Sequence, residues 1–254
     1  LRSRGLGDVY KRQGKILFVC GCITTLFIQC EDTKNKENVF IEKLASKQID
    51  SGKDCTTVSV DRSDTLRVSK QLEKMTPENV VSFLTAYGET HQQTRVAFNT
   101  PYGTIVIRLF KDTPLHRANF IYLVKQGYFN TTYFHRVVSN FIIQAGSSDN
   151  VSTQKHRYTL GHTYRIPNEI KHNHFFGSIS GAKYYRDNDD HKTEPFEFFI
   201  FLGPKTATTH LDGNYTVFGK VIEGMDVVTQ ISKLPKDAKE WPLQNVTIKA
   251  TLLH

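Results

Sequence analysis

The stretch FHRVVSNFIIQAG, residues 134–146, sets Arg136 and Gln144 eight residues apart inside an otherwise apolar run. Buried strands avoid guanidinium groups, so this placement asks for a reason. Arginine offers several N–H donors in a rigid fork and stays charged at any working pH, while glutamine offers a donor and an acceptor. Phe141 and Ile142 lie between the two. A fixed cationic donor beside an apolar floor can stabilise an electron pair that develops on a neighbouring atom, without nucleophile, metal or proton transfer. Taken alone, the residues leave a second reading open, in which Arg136 and Gln144 only satisfy each other on a strand.

Other constellations carry less chemistry. HNH at 172–174, with His156 and His162, invites a metal reading, but no acidic or cysteine partner stands at a recognisable ligand spacing. The acidic run DNDD at 187–190 lacks the spaced oxygen ligands and the glutamate of a calcium loop. Neither a metal nor a cofactor is expected. Four Asn-X-Ser/Thr sequons, at Asn130, Asn150, Asn214 and Asn245, would matter only in a eukaryotic secretory pathway. The net charge is +8, and half of it falls in residues 1–30, where Arg2, Arg4, Lys11, Arg12 and Lys15 face only Asp8. The rest of the chain carries a mild, unclustered excess, which argues against nucleic-acid binding.

The elements that must hold these residues are short and β-rich. RVAFNTPYGTIVIRLF, from Arg95, reads as two strands joined by the turn Thr100-Pro101-Tyr102-Gly103. Thr113 and Pro114 open a helix that Gly127 closes. FEFFIFLG at 196–203, YTVFGKVI at 215–222 and VTIKATLL at 246–253 read as further strands, and EGMDVVTQIS at 223–232 as a second helix. Upstream, residues 31–38 read as a linker and 39–91 as a polar helical extension. In that extension Thr76 is a candidate N-cap, Pro77 takes the first helical position and Gly88 is the stop. Many short strands with two distant helices suggest a barrel or sandwich plugged by helices.

FHRVVSNFIIQAG, FEFFIFLG and HLDGNYTVFGKVIEGMDVV, in this order, resemble the cyclophilin family of peptidyl-prolyl isomerases, and GTIVIRLFKDTPLHRANFIYLVKQGYF resembles that family's first hairpin and helix. The resemblance covers residues 92–254. It implies a mainly β fold, an eight-stranded antiparallel β-barrel capped by two α-helices. It also implies that Arg136 is a catalytic donor to the proline nitrogen, and that Gln144 binds the substrate backbone and orients the arginine. Phe141, Ile142, Phe199 and Leu211 would form the proline pocket, and Ala182, Glu197, His210 and Tyr215 would border it.

Several positions depart from the family pattern. Ile142 stands in place of methionine, Glu197 in place of glutamine, Tyr215 in place of histidine and Lys183 in place of asparagine. His210 stands where many eukaryotic members carry tryptophan, which predicts weak cyclosporin binding. The segment from Lys183 to Glu197 is about five residues longer than the typical eukaryotic loop there. Two readings stay open for it: a border of the groove that influences which residues are accepted before the proline, or a solvated surface loop.

The N-terminal segments are expected to stand apart from this domain. Residues 1–14 resemble a translated adapter-like leader and are set aside. Lys15 followed by the apolar run Ile16–Ile28 and Cys30 resembles a bacterial lipoprotein signal, residues 15–30, with Cys30 the acylated residue. An exported monomer in the periplasm or cell envelope is therefore expected. It would be anchored to the membrane only through that lipid and would act on proline-containing segments of client proteins.

Overall fold

Side chains along a strand alternate between two faces, and that alternation decides this architecture. The computed structural model describes residues 74–184 and 191–254. Nine strands form one antiparallel sheet: β1 (Arg95–Thr100), β2 (Gly103–Leu109), β3 (Tyr133–Val138), β4 (Ile142–Ser147), β5 (Ser178–Gly181), β6 (Phe198–Phe201), β7 (Val217–Glu223), β8 (Val246–Thr247) and β9 (Lys249–Leu253). Their order is β8-β3-β4-β6-β5-β7-β2-β1-β9. Strands β8 and β9 are halves of one run, interrupted at Ile248, and they pair with β3 and β1 respectively. The two ends of the sheet are thus held by adjacent pieces of the same segment. Counted as one strand, that segment gives the eight-stranded, nearly closed barrel that was expected.

The run 134–146 is not one strand but a hairpin. Asn140, with φ 56°, turns the chain between β3 and β4, a left-handed conformation that asparagine tolerates. Inward residues of the hairpin, Phe134, Val137, Ile143 and Ala145, join the main core with Phe98, Phe120, Phe129, Phe198 and Ile200. The outward residues Ile142, Phe199 and Phe201 form a second, separate cluster with Leu211.

Four α-helices accompany the barrel among the described residues, the third of them not expected: α1 (Val80–Thr90), α2 (Pro114–Lys125), α3 (Val151–Leu160) and α4 (Met225–Ser232). Helix α2 opens at Thr113, as expected, but the Thr113 side chain does not cap it. The carboxylate of Glu169 does, accepting from Leu115 N at 3.1 Å and His116 N at 3.0 Å. Helix α3 escaped the sequence reading because VSTQKHRYTL has no apolar stripe, and only Thr153 and Leu160 are buried.

Helix α1 begins later than expected, with Asn79 in the cap position. Thr76 and Asn79 exchange hydrogen bonds at 2.8 and 3.3 Å across the turn that contains Pro77. Gly88 is not the stop. It lies within the helix, where a Cβ would stand 3.3 Å from the Ala118 Cβ, so glycine permits α1 to close on α2. Arg117 fixes that contact, donating to Gly88 O and His91 O at 3.1 and 2.7 Å. The leader, the signal with Cys30, the linker and the extension up to residue 73 lie outside the described residues.

Candidate active site

One row of residues crosses four strands. Arg136 of β3 is the cross-strand partner of Gln144, Gln144 of Phe199, and Phe199 of Ser180. A register shift between Phe134 and Arg136 places His135 and Arg136 together on the outer side, while Phe134 and Val137 stay in the core. This bulge explains how an arginine stands in an apolar run without entering the barrel. The outer face carries a groove of about 250 Å3 lined by Arg136, Phe141, Ile142, Gln144, Ala182, Lys183, Phe199, His210, Leu211 and Tyr215. Drug-sized sites occupy roughly 300–1,000 Å3, so this one suits a single small apolar ring.

Arg136 is held from two sides. Its Nε donates to Glu240 Oε2 at 2.8 Å, and Nη1 donates to Gln144 Oε1 at 3.5 Å. Glu240 belongs to a loop fastened along β3, where Val137 N donates to Glu240 O at 2.8 Å and Lys236 Nζ donates to Val137 O at 2.7 Å. With Nε and Nη1 engaged, Arg136 still lines the groove, and its Nη2 has no acceptor among the described residues. The apolar floor is equally fixed. Phe141 meets Phe201 edge-on and Phe199 meets Tyr215 edge-on, with ring centroids 5.9 and 5.7 Å apart.

Glu197 is the expectation that fails. It does not line the groove; it is 5% exposed and lies beneath it. Its carboxylate accepts from Arg157 Nη2 at 2.9 Å, from Gln144 Nε2 at 2.9 Å and from the Tyr184 hydroxyl, and His135 Nε2 is 3.5 Å away. Burial alone would raise its pKa, but His135, Arg157 and Tyr184 outweigh burial and bring it down to about 2. Ionised, it can only accept. Gln144 must therefore turn its amide nitrogen toward Glu197 and its oxygen toward Arg136. The carboxylate neither pairs with Arg136 nor diverts it; it fixes the orientation of the glutamine beside it.

Two further features bring Glu197 within reach. Gly146, at φ 101°, lets β4 approach the segment before β6 so closely that a Cβ would lie 2.1 Å from Phe196 O. Helix α3 delivers Arg157, which also donates to the Tyr128 hydroxyl at 2.7 Å and to Gly146 O at 2.9 Å. On the far wall, Asp212 Oδ1 accepts from His174 N and meets His174 Nδ1, both at 2.7 Å, while His174 Nε2 meets Ser180 Oγ at 2.8 Å. This chain ties the loop of His210 and Leu211 to β5. Another histidine of the HNH run, His172, meets Asp112 at 2.9 Å on the surface.

A protein-family model described as cyclophilin type peptidyl-prolyl cis-trans isomerase/CLD matches residues 95–252. The chain belongs to the cyclophilin family. Among relatives, peptidyl-prolyl cis-trans isomerase-like 3 of Dictyostelium discoideum is 33% identical over 165 residues, covering 63% of this chain and 94% of the relative. Its Homo sapiens counterpart is 34% identical over 164 residues, with 63% and 95% covered. Peptidyl-prolyl cis-trans isomerase-like 2 of Rhizopus delemar is 38% identical over 154 residues, but this cyclophilin spans only 27% of its length. A crystal structure of a Cryptosporidium parvum cyclophilin type isomerase superposes with TM-score 0.54 at 25% identity, covering 64% of this chain and 98% of that one.

The cyclophilin groove thus gathers Arg136, Gln144, Phe141, Ile142, Ala182, Phe199, His210, Leu211 and Tyr215, as the sequence led us to expect, and excludes Glu197. Sequence reasoning missed Glu240, Arg157 and His135. Glu240 is 104 residues from its arginine, and no periodicity connects them.

Proposed function

We propose that this cyclophilin accelerates cis–trans exchange at X-Pro bonds in client proteins, acting as a monomer and without a cofactor. The partial double bond of an amide sets a barrier of about 18–20 kcal/mol. Uncatalysed X-Pro exchange takes tens to hundreds of seconds. In the twisted state the proline nitrogen regains its lone pair, so a donor placed beside it binds that state better than either planar one. The observation that carries the reading is Arg136: fastened by Glu240 and Gln144, it stands at the rim of an apolar pocket of ring size. Phe141, Ile142, Phe199 and Leu211 hold the ring while the preceding carbonyl rotates.

A second reading, a peptide-binding or chaperone module with little turnover, is favoured by the same ion pair. The Glu240 carboxylate at 2.8 Å offsets part of the charge that Arg136 would direct at the nitrogen. Exchange rates of a short Ala-Pro peptide separate the two. We expect the full chain to accelerate exchange, and Arg136→Ala to reduce kcat/KM by roughly 100-fold or more. A folded parent that leaves the rate unchanged across several residues before proline would establish the binding module instead.

The proposal extends to export. The apolar run Ile16–Ile28 ending at Cys30 supports a signal that leaves the cysteine lipid-anchored in the periplasm or cell envelope. The relatives named above come from eukaryotes, whereas a signal of this kind is bacterial, so the test is direct. The mass of the protein made in a host that processes lipoproteins should correspond to an acylated chain starting at Cys30; an unprocessed mass would end this part of the proposal.

A further inference from the structure

The groove has an uneven distribution of charge. Each carboxylate near it among the described residues already lies against a cation or donor of its own. Glu240 holds Arg136, Glu197 holds Arg157 and Gln144, Asp212 holds His174, and Glu194 lies 3.3 Å from Arg165. Lys183 has no such counterpart: it makes no ion pair among the described residues. It follows Ala182 just beyond the end of β5 and lines the groove with its side chain half buried. Its ammonium lies over the Tyr215 ring, 5.4 Å from the centroid.

An ammonium half withdrawn from water loses hydration that must be replaced. A ring face replaces part of it, and the remainder is unmet. Burial accordingly pushes the Lys183 pKa down. An anion arriving in the groove with the peptide would restore what burial removes, in a setting drier than the surface pairs that contribute little. Arg136, the other strong cation of the groove, has its Nε taken by Glu240 and is turned toward the ring pocket.

We propose that Lys183 makes this groove selective for proline segments that carry an anionic side chain beside the proline. The proposal rests on the groove being the peptide site, as argued above, but not on turnover. The anion is a carboxylate or a phosphate ester, since both present the oxygens an ammonium binds.

The test measures dissociation constants by titration calorimetry on the full chain. The peptides share one frame and place glutamate, phosphoserine, alanine or lysine either immediately before or immediately after the proline. In at least one of the two positions the glutamate peptide should bind about tenfold more tightly than the lysine peptide, with alanine between. Lys183→Gln should remove that order and Lys183→Glu should invert it, and added salt should compress it. Comparing glutamate with phosphoserine shows which source of the anion is preferred. Retention of the same order by folded Lys183→Glu, or equal binding of all peptides by the parent, would overturn the proposal, as would failure of every peptide to bind. Exchange rates on the same peptides keep the two readings apart. Selective binding without acceleration would sink the isomerase reading and leave this one standing. Equal acceleration of all peptides, with equal affinities, would do the reverse.

Discussion

Phe198 and Phe199 are adjacent, both nearly inaccessible, and belong to different structures. Phe198 points into the barrel, where it stacks on Phe98 with centroids 5.5 Å apart and meets Phe120 and Phe129 edge-on. Phe199 points outward, joins Ile142, Phe201 and Leu211 in the second apolar cluster, stacks on the His174 ring, and stands in the row that begins with Arg136. One strand with a period of two therefore serves two purposes at once. The inner face holds the fold and the outer face forms the groove. Polar side chains gather on the outer face because only there can they find partners without breaking the core.

The comparison can be broken, or sharpened, by substitution. The largest effect is expected on the inner face. Phe198→Ala should destabilise the domain by about 3–5 kcal/mol, read as a fall in the urea midpoint. An intact midpoint would show that the two faces are not divided in this way. Arg136→Ala, by contrast, should lower turnover severely while the urea midpoint moves by less than about 1 kcal/mol. Its side chain is 42% exposed and its partner Glu240 can turn to water.

Glu197→Gln should show both effects at once. Removing one charge from the buried pair with Arg157 should cost about 3–5 kcal/mol. Freeing the Gln144 amide to turn over should lower kcat/KM several-fold, with Arg136 still in place. Activity that rises instead would mean that the carboxylate restrains the site rather than ordering it.

The smallest effect concerns pH. Burial raises the Glu194 pKa to about 7, despite Arg165, whereas Glu197 is brought down to about 2. Relative to the ordinary value of 4.5, the folded state holds the Glu194 proton more tightly, so this group's contribution to stability falls as pH rises from about 4.5 to about 7. For Glu197 the sign is opposite: its contribution is present above 4.5 and is lost as pH falls toward 2. Glu194→Gln should therefore raise the melting temperature more at pH 8 than at pH 5, by an amount equivalent to about 2 kcal/mol. Equal shifts at both pH values would contradict that assignment.

The fold and the groove were legible where their signals are local. Turns at Pro101 and Gly103, the aromatic-rich run FEFFIFLG and the contiguous run from Phe134 to Gly146 each carry their own pattern. Glu197 shows where local reading stops. Counting back by two from Phe199 places it on the outer face, which is correct, but nothing in FEFF says that Arg157 and Tyr184 will cover it. Arg157 arrives on a helix with no apolar stripe, and its helix is held by a few specific contacts rather than by amphipathicity. Glu240 reaches Arg136 from a loop whose course is set by Asp237, which accepts from Lys239 N and Trp241 N at 2.8 and 2.9 Å. Supports of this kind follow from tertiary placement, which a sequence window does not contain.

The interrupted last strand has a consequence for synthesis. Strand β9 pairs Leu253 with Arg95, so the first strand of the barrel waits for a residue of the last one. Until that residue leaves the ribosome, the nascent sheet has two bare edges, β1 and the outer side of β3, both able to template pairing with a neighbouring chain. Closure cannot begin at the start of translation, and every earlier strand must remain soluble through that delay. A chain cut short before β8 would keep every groove residue and leave the barrel unsealed.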